Sequence, residues 1–225
     1  MKKSEIENAV RRYILPSHKE YFAHEHVMYK TFEENFFLKG YIFYSKGDNE
    51  MGLKVSYFIM PLFVKAEFFT YNIIMDLGQI ERVGWFKKTQ KTWWDVRKEQ
   101  QAATFEQINK TIDMQGETFL NKINCSKDFF NLLKKDRKDN VRVWEDIAYA
   151  SILFKNIRFQ NRMLRGVIRE AKDDDRDLEW VEQIKTDAEQ LLRCKNIEER
   201  KSILKSWANY TMSHLKLPHL KPFAV

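Results

Sequence analysis

The chain has 225 residues, 44% of them hydrophobic and 32% charged, which is the composition of a globular protein with a sizeable core. Its net charge of +7 is spread over both halves rather than gathered in a tail, so charge alone does not single out a nucleic-acid partner. No apolar run is long enough to span a bilayer, and Met1-Lys2-Lys3 leads at once to Ser4, Glu5 and Glu7 without an apolar signal region, which predicts a cytoplasmic protein with no membrane role.

The chain has only seven glycines and contains neither GxGxxG nor GxxxxGK(S/T), so phosphate-cradling loops are not expected. Cys125 and Cys194 stand far apart in no metal spacing and read as free thiols in a reducing compartment.

Ser4 with Glu7 has the form of a capping box, and Ile6, Ala9, Val10, Tyr13 and Ile14 make an apolar stripe that Pro16 ends. A second helix is expected between Ser17 and about Phe37, with Phe22, Met28, Phe32 and Phe36 turned toward a sheet. His24-Glu25-His26 falls in it. Residues two apart on a helix point about 200° apart, and no third ligand stands at a recognisable spacing, so no metal site is expected.

From Phe36 to Ile80 the period becomes two and predicts a three-stranded antiparallel meander. Its strands are Leu38 to Lys46, Leu53 to Pro61 and Phe69 to Leu77, with a turn at Gly47-Asp48-Asn49. One face reads apolar throughout and the other mixed, so a cover is needed on at least one side.

Between Arg82 and Lys98, Trp85, Phe86, Trp93 and Trp94 are interleaved with Lys87, Lys88, Lys91 and Arg97. Cations for phosphate and rings for stacking are what a single-stranded nucleic acid or another acidic partner would use. The same residues also fit a closed sheet edge whose lysines discourage edge pairing. A helical period follows, with Phe105, Ile108 and Ile112 on one side and a break at Gly116, after which Ser126 caps a short helix carrying Phe129, Phe130, Leu132 and Leu133. The polar run Lys134 to Asn140 marks a boundary.

Over roughly Glu34 to Asp136, the order FFLKGYIFYSK, paired strands, MDLG, WWDVRKEQQ, an amphipathic helix and FLNKINCSKDFFNLL resembles bacterial α+β domains of unknown function. Some of these lie beside toxin or defence genes. The resemblance implies a fold and, by association, an immunity or regulatory partner, and it brings no catalytic residues.

Beyond Asn140 every pattern is helical, with stripes at Trp144 to Ile152, Phe159 to Val167 and Leu178 to Leu192. A last helix is capped by Asn196 and Glu199 and ended by Pro218 and Pro222. The expected architecture is α+β, with an N-terminal sheet unit over 1–138 and a helical bundle over 139–225, separate or packed as one unit.

Asp173-Asp174-Asp175 with Asp177, and Glu198-Glu199, read as solvated loop and cap residues rather than cation ligands. Arg158, Arg162, Arg165 and Arg169 recur at spacings of four, three and four, within about 60° of one line along a helix. One reading is a solvated face whose charge is offset by Asp173 to Asp175 or by acidic side chains of a neighbouring helix; arginine at every position favours recognition of carboxylate or phosphate, since the planar fork pairs bidentately and keeps its charge when partly desolvated. The resemblance implies a non-catalytic protein-binding module without cofactor or metal, and the stripe would make its partner an acidic protein. Nucleic-acid binding through the basic aromatic segment and the arginine stripe is the alternative.

Overall fold

A computed structural model describes residues 1–45, 52–83, 87–97, 99–134, 140–174, 176 and 178–224, with the backbone alone for 79–83 and 87–91. Helix α1 (Lys3–Tyr13) buries Ile6, Ala9 and Val10, as its stripe requires. Its start lies before Ser4. The Lys2 N–H donates to Glu5 Oε2 at 2.8 Å, so Glu5 rather than Glu7 closes the first turn. A single 3₁₀ turn, Leu15–Ser17, follows with Pro16 inside it.

The expected helix over 17–37 is instead a β-hairpin, β1 (Phe22–His24) paired antiparallel with β2 (Val27–Phe32). Glu25 forms its turn at φ 51°, and Glu33, Glu34 and Asn35 turn the chain again at φ 49°, 54° and 70°. That second turn is anchored through Glu33, whose carboxylate accepts the Ser126 N–H and hydroxyl.

The meander is present as β3 (Phe37–Ser45), β4 (Gly52–Pro61) and β5 (Ile73–Asp76). Residues Phe69 to Asn72 precede β5 rather than belonging to it. The Gly47-Asp48-Asn49 turn lies outside the described residues. Among the described residues β1 to β5 lie in sequence order, and β8 (Trp93–Asp95) pairs with Gly52–Lys54 at the start of β4, leaving Ser56–Ile59 to β5. A separate hairpin joins β6 (Gln79–Val83) to β7 (Lys87–Lys91).

Both faces of the central strands are covered, the mixed face, which carries Lys54, Ser56, Phe58 and Met60, as well as the apolar one. On one face Tyr57 meets Phe119 at 5.0 Å and Phe37 meets Phe129 at 5.1 Å. On the other, Phe58 packs against Tyr71 at 5.0 Å and Phe22 stacks on His219 at 4.1 Å. Gly40 sits between the two strands it pairs with, where a Cβ would lie 2.0 Å from the Met28 carbonyl oxygen.

The first cover is α2 (Gln101–Thr111), which runs without a break into a π-helical turn, Ile112–Glu117, and then α3 (Thr118–Leu120). Gly116 therefore does not end the helix. Its missing side chain admits the Tyr41 ring, 2.4 Å from where a Cβ would stand. The wide turn also presents Glu117, whose Oε1 accepts the Tyr21 and Tyr41 hydroxyls at 2.6 and 2.8 Å. Helix α4 (Ser126–Leu133) has Cys125 rather than Ser126 at its cap position.

The C-terminal region consists of α5 (Val141–Phe154), α6 (Ile157–Asp173), α7 (Glu179–Arg193) and α8 (Ile197–Leu215). Asn196 caps α8 as expected, its Oδ1 accepting the Glu199 N–H at 2.9 Å. Arg200 is buried and ties three helices together, donating to Leu191 O and Gln160 Oε1 at 2.9 Å and to Asn161 Oδ1 at 2.5 Å. The sheet and the helices meet along residues 62–72. Thr211 Oγ1 donates to Val64 O and accepts from the Ala66 N–H, and the buried apolar residues of both regions form one cluster. The fold is thus α+β, with an antiparallel sheet and a C-terminal helical region.

Candidate functional site

Helix α6 is opened by Asn156, whose Oδ1 accepts the Phe159 N–H at 3.0 Å. Met163, Leu164, Val167 and Ala171 bury one side, and the intervening positions hold Arg158, Arg162, Arg165 and Arg169 in the open. All four guanidinium groups line one open groove of about 590 Å³, together with Trp144 of α5 and Phe159. Trp144 can lie this close because residue 166 is glycine, where a Cβ would come 2.4 Å from the indole ring.

Arg169 pairs with Glu170 at 3.0 Å and lies 5.8 Å from the centre of the Trp144 ring. Among the described residues Arg158, Arg162 and Arg165 form no ion pair or hydrogen bond. Beyond the helix, Asp174 accepts instead from Arg176 Nε at 2.8 Å, and Asp175 and Asp177 lie outside the described residues. Close cations on one helix face repel each other, and an anion laid along them relieves that repulsion while meeting several planar donors.

Most of the second expected contact surface falls outside the described side chains. Trp85, Phe86 and Lys98 lie outside the described residues, and Lys87, Lys88 and Lys91 are placed by backbone only, along β7. Arg97 bonds Asp95 through Nε at 3.1 Å. Trp93 is half-buried beside Tyr44 and Asp76. Trp94, with 3% exposure, is a core residue, so its ring is not a stacking platform for a base.

His24 ends β1 and His26 follows the turn residue Glu25, whose carboxylate accepts from Lys3 at 2.7 Å. Among the described residues no group of three His, Cys, Asp or Glu side chains could hold a metal ion. Both cysteines are free thiols. No helix of the described residues is long and apolar enough to cross a membrane.

A second polar cluster escaped the sequence reading. Glu145 of α5 and Asp187 of α7 are buried, with 3% and 4% exposure, and meet Lys65 from the 62–72 connection and Arg142 from α5. Next to Glu145, Asp146 accepts from Asn72. Burial holds the Asp146 carboxyl well above its usual range, and the neighbouring Glu145 adds to the effect. The available signal was charge within apolar text: Lys65 inside PLFVKAEFF, and Glu145-Asp146 inside VWEDIAYASILF.

Comparison with protein-family models, with curated proteins and with solved structures finds no match.

Proposed function

We propose that the protein is a non-catalytic binding module which seats an acidic protein segment in the α6 groove, in an immunity or regulatory role in the cytoplasm. The observation that carries this reading is the row Arg158, Arg162 and Arg165, exposed and without ion pairs among the described residues, along a groove walled by Trp144. A peptide carboxylate matches the arginine fork in geometry, and the aromatic wall gives an apolar neighbour on the same segment a place to pack. The resemblance to bacterial α+β domains near toxin or defence genes supports the biological setting by association. Burial of Trp94 in the core weighs against the nucleic-acid alternative.

The test is a direct competition. A fluorescent Glu- and Asp-rich peptide containing one Phe is titrated with the protein, and an unlabelled single-stranded oligonucleotide of equal charge is then added. The acidic peptide should bind saturably and resist displacement. Displacement by the oligonucleotide at equal or lower concentration would move the assignment to nucleic acid.

A further inference from the structure

We propose that the cavity between Lys65, Arg142, Glu145, Trp180 and Asp187 is a second ligand site, for a singly charged organic cation: an ammonium or guanidinium group on an apolar body. It is independent of the α6 groove and lies where the 62–72 connection meets α5 and α7. The cavity measures about 370 Å³, in the range that small ligands occupy.

Each carboxylate has one oxygen engaged and one unengaged. Glu145 Oε2 accepts from Arg142 Nη1 at 2.9 Å, and Asp187 Oδ1 accepts from Lys65 Nζ at 2.7 Å and Gln183 Nε2 at 2.8 Å. Among the described residues neither Glu145 Oε1 nor Asp187 Oδ2 accepts a hydrogen bond, although both side chains line the cavity and are more than nine-tenths buried. Neither oxygen is among the side-chain atoms shut off from solvent, so both are reached through the cavity, where a cation carrying several N–H groups can bond the two together.

Charge selects the sign of the ligand. Lys65 and Arg142 face Glu145, Glu179 and Asp187, so two cations stand against three carboxylates and the ionised lining carries one net negative charge. A monocation neutralises it, whereas an anion doubles it. Ile184 and the Trp180 ring, already stacked by Arg142 at 4.5 Å, supply the surface against which an apolar body would lie.

Titration of the site follows from its surroundings. Burial raises the Glu145 pKa to about 7, against the opposing pull of Arg142 on the same helix and Lys65 on the connection, with Asp187 on α7 adding to the rise. A cationic ligand favours ionised Glu145, so its affinity should increase as pH rises from about 6 to about 8.

Two probes separate the sources of such a cation. Benzylamine stands for a free small amine, an acetylated and amidated peptide with one central Arg stands for a protein side chain, and benzyl alcohol is the uncharged control. Calorimetric titration of the full chain should show saturable 1:1 binding of at least one cation, at least tenfold tighter than the alcohol. Preference for the amine or the peptide names the source. Binding should weaken at least tenfold in Asp187→Asn, and should strengthen with pH in the unaltered protein, a readout that stands if the variant fails to fold. Failure of both cations to saturate at up to about 10 mM, equal binding of the alcohol, or affinity independent of pH would overturn the proposal.

Discussion

Lys39 shows how much one buried side chain organises. Its ammonium donates to Leu120 O at 2.9 Å, Ile123 O at 2.8 Å and Asn124 Oδ1 at 3.0 Å, so three acceptors match its three protons beneath the sheet. Burial lowers its pKa to about 8, which leaves it charged at neutral pH. Lys39→Met should keep the packing volume yet strand two carbonyls and an amide, costing about 2 kcal/mol in urea unfolding. No change in the unfolding midpoint would mean that solvent replaces the ammonium without loss. Glu145 makes the opposite contribution. Its folded pKa of about 7 lies above the ordinary value of 4.5, so the folded state holds the extra proton between those limits and stability falls as pH rises through the window. The loss at complete ionisation is on the order of 3 kcal/mol, and Asp146, also raised, acts in the same direction. Carboxyls lowered by their partners, such as Glu7 beside Arg11, lose their stabilisation only as pH falls below about 4.5 and contribute evenly across this window. Urea midpoints at pH 5 and pH 7.5 should differ in the parent and differ less in Glu145→Gln, where Asp146 and Glu33, both raised by burial, still oppose stability as pH rises and His26, lowered by burial, favours it; an unchanged difference would place the titration elsewhere.

Among the elements, β3 and β4 were legible because alternation over nine and ten residues is a strong periodic signal. The β1–β2 hairpin was not, because its strands are short and its turns use Glu25 and Glu33-Glu34-Asn35 instead of glycine or proline. Local text there fits a helix, and pairing with β3 overrides it. Gly116 misled for a related reason. Its role is to admit Tyr41 rather than to end a helix, and nothing local encodes a contact with a residue so distant in sequence. Gly116→Ala, harmless in an isolated helix, should destabilise the protein by about 1–3 kcal/mol by pushing on that ring and on the Glu117 hydrogen bonds. A variant as stable as the parent by thermal melting would show that the π-helical turn relaxes to make room.

At the scale of the whole molecule, the arginine stripe was readable from spacing alone, since four cations at helical intervals need no tertiary information to share a face. The groove was not readable, because it depends on Trp144 of α5 resting over Gly166 of α6. The buried Glu145–Asp187 cluster was further still from view, assembled from a sheet connection and two helices. The central claim, that α6 presents its arginines to an acidic protein segment, is tested most directly by the salt dependence of acidic-peptide binding in the parent and in Arg162→Gln/Arg165→Gln. The exposed side chains carry no core packing, so the melting temperature should stay within about 2 °C of the parent. Affinity should fall at least tenfold, and the slope of log Kd against log salt should become shallower. Unchanged affinity and slope, or a double variant that melts much earlier, would contradict the account by showing that the stripe serves the fold and not a partner.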